Sequence, residues 1–145
     1  MRLDKALLLF SGAIFAAYGV VCWYNPELPA EYAGLFIATH DGYAEMAAMY
    51  GGLQTGFGVL LILAGLVSRY RRAGLWVIQL GIGSLAIARG SVAFSDLDSG
   101  FNLSAGKLQL AMSSGFTLYT WGALAFEATI VLIATWCLIK GARNP

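Results

Sequence analysis

The sequence predicts an all-α fold, a bundle of four transmembrane helices. Three observations carry this: an apolar composition, four long apolar runs, and basic residues gathered on one side of those runs. Of the 145 residues, 59% are hydrophobic and 12% charged, and the mean hydropathy is +0.70. A soluble domain carries about 25% charged and about 45–50% apolar residues. The excess apolar surface needs a solvent other than water, and a lipid bilayer is the simplest one. The length suits a single domain.

Crossing a hydrocarbon core takes about 20 apolar residues. Runs of that kind occupy 6–23, 46–67, 75–94 and 118–139. Asn25-Pro26-Glu27-Leu28-Pro29 ends the first, because proline cannot continue the backbone ladder. Arg69-Tyr70-Arg71-Arg72 ends the second, and Ser95-Asp96-Leu97-Asp98-Ser99-Gly100 ends the third. The first run shares a basic start, Arg2 and Lys5, with secretory signal peptides. No small-x-small cleavage site follows it, and Gly19-Val20-Val21-Cys22 lacks the small residue a lipobox places just before Cys. It is read as a retained helix.

Orientation follows from the cations. Arg2, Lys5, Arg69, Arg71, Arg72, Lys140 and Arg143, seven of the nine Lys and Arg residues, fall on one side of a four-pass topology. The other side holds Glu27, Glu31, Asp41, Asp96 and Asp98, with Lys107 as its only cation. Cytoplasmic loops collect Lys and Arg, so both termini are expected in the cytoplasm and the two longer loops in the periplasm or exterior. Trp23, Tyr24, Tyr119 and Trp121 then form an outer aromatic belt, and Tyr70, Trp76 and Trp136 an inner one. Cys22 and Cys137 close opposite ends, too far apart for an intramolecular disulfide, whose Cα atoms lie within about 7 Å.

Several function classes drop out. With a net charge of +1 and no basic cluster beyond positions 69–72, no face suits nucleic acid. The single histidine, His40, excludes a His-rich metal site. No Cys-x-x-Cys, His-Glu-x-x-His or Gly-x-x-x-x-Gly-Lys pattern occurs, and no cofactor is implied.

Lipid offers no hydrophobic drive between helices, so close backbone approach does much of the packing. Ala48, Gly52 and Gly56 form a small-residue stripe on the second helix. Gly12, Ala13, Ala16 and Ala17 on the first, and Gly81, Gly83, Ser84, Ala86, Ala88 and Gly90 on the third, offer matching surfaces. The stripe also leaves a homodimer open.

Four polar side chains interrupt the spans: Gln54, Gln79, Arg89 and Glu127. A mid-membrane arginine costs about 2.5–3.5 kcal/mol on insertion scales, so it faces a partner or a water-filled cavity. Arg89 lies thirteen residues beyond Trp76, about 20 Å above the inner belt. That is roughly 10 Å below the outer surface of a core about 30 Å thick. Glu127, six residues past Trp121, lies about 9 Å below the same surface. The two are expected to pair. Tyr50 and Gln54 are four apart and share a face, about 6 and 12 Å below the surface. Tyr50, Gln54, Arg89 and Glu127 are therefore expected to build a polar chamber in the outer leaflet, with Glu45 at its mouth.

Each residue also has a plainer reading. Arg89 and Glu127 can serve only as an ion pair that fixes helix register. Glu45 can be a first-turn acid favoured by the helix dipole, with Asp41 as a cap. Gln54 and Gln79 can hydrogen-bond between helices, and His40 can be a solvated loop residue.

The stretch Met49-Tyr50-Gly51-Gly52-Leu53, followed by Gly56 and Gly58, resembles the helix 2 signature of an uncharacterised family of small bacterial four-helix integral membrane proteins. Pro26 and Pro29 after helix 1, Arg89 followed by Asp98-Ser99-Gly100, and Glu127 within helix 4 are similar to that family as well. The resemblance implies the four-helix fold and the polar layer. It implies no activity.

Three functional readings stay open. In the first, the chamber holds the polar head of a lipid-like, sterol-like or quinone-like molecule while the aliphatic bundle accepts its tail. In the second, the chain is an accessory subunit of a larger membrane complex. In the third, it is a membrane enzyme or small transporter using Glu127 and Arg89, a reading that no nucleophile–base pair or metal set supports.

Overall fold

A computed structural model describes residues 2–95 and 118–143, and within them every regular element is helical. Among these described residues four helices are long and apolar enough to cross a membrane: Leu3–Tyr24, His40–Leu66, Ser68–Phe94 and Leu118–Gly141. Asp96, Asp98, Lys107 and the Asp98-Ser99-Gly100 segment lie outside the described residues.

The first span is one helix, α1 (Leu3–Tyr24). A short helix that the sequence reading missed, α2 (Glu27–Ala33), starts directly after Pro26. Proline breaks a helix interior but is well tolerated at a helix start, so Pro26 ends one helix and opens the next. α2 stops at Gly34, whose φ of 69° is the left-handed conformation that glycine adopts without steric cost.

The second span joins α3 (His40–Met46), a π-helical stretch at Ala47–Leu53, and α4 (Gln54–Leu66). It begins well before the expected position 46. Thr39 is the reason: its Oγ1 accepts a hydrogen bond from the Gly42 amide at 3.1 Å, satisfying a donor the first turn leaves open. Thr39, not Asp41, is thus the cap, and His40 is the first helical residue rather than a loop residue. The third span likewise begins before position 75. It runs through a 3₁₀ turn at Ser68–Tyr70, α5 (Arg71–Val77), a second π-helical stretch at Ile78–Ile82, and α6 (Gly83–Ser95). The fourth span is a single helix, α7 (Leu118–Arg143).

α1 packs along the second span and also touches α5 and α7. The seam between α1 and the second span is a backbone contact. A Cβ on Gly58 would stand 2.3 Å from the Ala16 nitrogen and 2.6 Å from the Gly12 oxygen. One on Gly19 would stand 2.4 Å from the Thr55 nitrogen. The seam glycines are spaced by seven, Gly12 and Gly19 on α1 facing Gly51, Gly58 and Gly65. Seven is the repeat that keeps one face of a left-handedly wrapped helix pair against its partner. The expected stripe of Ala48, Gly52 and Gly56 does not form this contact. No atom lies within 4 Å of a Cβ built on Gly56, and Ala48 is exposed. That stripe sits about 100° around the helix from the seam.

Leu7, Leu8, Leu61, Ala64, Leu75, Ile78, Ile82, Ile130 and Ala134 form the core, which lies in the half of the bundle nearer the described termini. Phe15 closes this core, its ring centre 6.0 Å from that of Phe57 and 6.3 Å from that of Phe126. Past these three rings the bundle opens.

Candidate functional site

The opening is a cavity of about 560 Å³. All four spans line it. α1 contributes Phe15 and Tyr18; the second span Tyr50, Gln54 and Phe57; the third Gly81 and Arg89; the fourth Tyr119, Phe126 and Glu127. The floor is aromatic and the polar groups are few.

Arg89 and Glu127 meet across α6 and α7 in a two-pronged ion pair. Arg89 Nη2 donates to Glu127 Oε1 at 3.0 Å, and Arg89 Nε donates to Oε2 at 3.2 Å. The Glu127 side chain is only 7% exposed and that of Arg89 29%. A planar guanidinium facing a carboxylate in this way fixes orientation as well as charge. Both carboxylate oxygens accept from one arginine, while that arginine keeps three of its five N–H donors for other acceptors. As a unit the pair is neutral.

Tyr18 and Tyr119 place their hydroxyl oxygens 3.5 Å apart, either able to donate. Tyr32 of α2 stacks on Tyr119, ring centres 6.2 Å apart and 18° from parallel, which ties α2 to the fourth span. Both π-helical stretches border the cavity. Tyr50 lies in the first, with Gln54 directly after it, and Gly81 lies in the second. A Cβ on Gly81 would collide with the tip of the Phe57 ring, so that glycine makes room for the cavity's aromatic wall. Such π-helical irregularities are frequent at functional sites.

The structure therefore brings together Tyr50, Gln54, Arg89 and Glu127. Glu45 it does not. That residue is exposed on α3, outside the cavity lining, and in the second turn of its helix rather than the first. Gln79 lies outside the lining too. Its Nε2 donates to Thr135 Oγ1 at 2.7 Å, and Thr135 donates onward to the Val131 carbonyl at 2.9 Å, a tie between the third and fourth spans. Among the described residues no group of three or more His, Cys, Asp or Glu side chains gathers to hold a metal.

Tyr18 and the three phenylalanines were not singled out by sequence, and Tyr119 was read only as a belt residue. The phenylalanines read as ordinary core. Tyr18 could have been found: it lies five residues before Trp23, about 8 Å deep, at the level of Arg89 and Glu127. No protein-family model, curated protein or solved structure matches the chain.

Proposed function

We propose that this chain is an integral protein of a bacterial inner membrane, with cytoplasmic termini, that binds an amphipathic small molecule with an uncharged head in its outer-leaflet cavity. The observation that carries the reading is the closure of Arg89 on Glu127 inside a cavity whose remaining lining is uncharged and mostly apolar. An anionic head would compete with Glu127 for the guanidinium, and a cationic head would compete with Arg89 for the carboxylate. A carbonyl or hydroxyl head needs neither. It can accept from the remaining guanidinium donors and bond to Gln54 or Tyr50 while the pair stays intact. Phe15, Phe57 and Phe126, with Leu53 and Leu85, suit the apolar remainder. The volume falls within the roughly 300–1,000 Å³ typical of small-molecule sites. Orientation is supported by Arg2, Arg71, Arg72 and Lys140 gathering at one end of the bundle, against Glu27, Glu31 and Asp41 near the other.

The test is a thermal-shift titration of the purified protein with monoolein and decylubiquinone as uncharged probes and oleate as an anionic one. Either uncharged probe should raise the melting temperature more than oleate does. Ala123→Leu, which intrudes a larger side chain into the cavity and leaves both members of the ion pair in the sequence, should reduce that rise. Stronger stabilisation by oleate would refute the reading. The unpacked face of Ala48, Gly52 and Gly56 favours a second reading, an accessory subunit whose partner helix covers that face; crosslinking from position 56 in native membranes tests it.

A further inference from the structure

At the end of the bundle that carries both described termini, a second cavity of about 500 Å³ opens between the first, third and fourth spans. Arg2, Arg71, Arg72 and Lys140 line it, against one carboxylate among the described residues, Asp4. Membrane orientation asks for positive charge at a helix end. It does not ask cations from three spans to converge on one concavity.

Two of the four already have neighbours. Arg2 Nε lies 3.5 Å from Asp4 Oδ1, and Lys140 Nζ stands 4.7 Å from the centre of the Trp136 ring. The Nε of Arg71 is different. It is buried and has no hydrogen-bond partner among the described residues. A buried donor without an acceptor is costly, so a guanidinium that turns to present this N–H to an anionic oxygen in the cavity gains a partner. Beside the cations the walls are apolar: Leu75, Leu138, Leu3 and Trp136. Trp136 is 54% exposed, as suits an indole at headgroup level.

We infer that this cavity binds the phosphate of an anionic phospholipid, with Arg71 and Arg72 as its principal ligands and an acyl chain lying along Leu3, Trp136 and Leu138. A soluble phosphate would use the cations and leave the apolar wall unexplained. A phospholipid uses both, and basic pockets between spans on the cytoplasmic side suit such headgroups. The inference is independent of the cavity at Arg89.

Native mass spectrometry of the full-length protein, titrated with phosphatidylglycerol and with phosphatidylcholine of the same acyl chains, tests it. Phosphatidylglycerol should bind the more tightly. Arg71→Gln with Arg72→Gln should weaken it about 30-fold, the effect of removing two near-surface cations. Lys5→Gln with Arg69→Gln, which removes two charges from the same end but outside the cavity, should change it little. If the arginine double variant cannot be purified, Lys140→Gln carries the same test at about 5-fold. Equal weakening by the control pair would mean a diffuse surface field and overturn the site. So would equal affinity for the two lipids, or displacement of phosphatidylglycerol by an equal concentration of inorganic phosphate.

Discussion

Arg89 and Glu127 sit on helices that run in opposite directions, and their depths coincide when each is counted from its own aromatic belt. That coincidence is legible in the sequence, because helix rise is fixed and an arginine in hydrocarbon needs a partner. The structure closes the pair with two hydrogen bonds. Tyr50 and Gln54 were legible by the same counting. Glu45 was not correctly placed, because the helix extends back to a Thr39 cap that hydropathy does not reveal. Removing one member of a buried pair strands the other charge, at a cost of about 3–5 kcal/mol. Thermal unfolding in detergent should therefore show Arg89→Leu and Glu127→Leu each strongly destabilised. The double variant should recover most of the loss, since apolar replacements of both partners leave no charge behind. If Arg89→Leu alone melts like the wild type, the pair has no energetic role.

Among the elements, the spans were legible and the packing faces only partly so. Length and hydropathy identify four apolar helices, but they cannot separate Gly51 from Gly52 or Gly56 from Gly58. What decides is the partner's spacing. Gly12 and Gly19 are seven apart, and only Gly51, Gly58 and Gly65 repeat that interval on the second span. The two π-helical stretches left no signal in the sequence, since their backbone pattern depends on tertiary packing. The seam makes a sharp contrast between neighbours. Gly58→Ala should destabilise by about 1–3 kcal/mol or more, because its methyl meets rigid backbone at Ala16 and Gly12. Gly56→Ala should be neutral or stabilising by up to about 1 kcal/mol, since it gains helix propensity and meets nothing. Paired melting curves of these two variants read the seam directly, and equal effects would place it wrongly.

At the scale of the molecule, a packed core separates the cavity at Arg89 and Glu127 from the basic concavity at the described termini. Leu7, Leu8, Leu61, Ile78 and Ile82 belong to that core. Three phenylalanines form its boundary, and the part of the bundle beyond them holds Arg89, Glu127 and the tyrosines. Cys22 lies twenty residues along α1 from Arg2, about 30 Å away, while Cys137 shares the terminal cavity with Arg2. Oxidation should therefore yield no intramolecular Cys22–Cys137 disulfide. A monomer that shifts quantitatively on a non-reducing gel would contradict this arrangement. Single cysteines at positions 34 and 72 of a cysteine-free background should react with an impermeant maleimide from opposite faces of the membrane, only the former from outside. Labelling of both from one face would remove the four-pass orientation.

The most direct test of the central claim is to extract and identify the small molecules that copurify with the protein, in parallel for the wild type and Ala123→Leu. The expected result is an uncharged amphiphile at near-stoichiometric amount in the wild type and depleted in the variant, with both proteins equally folded. Identical profiles from the two preparations, or enrichment of an anionic species that Ala123→Leu loses, would contradict it.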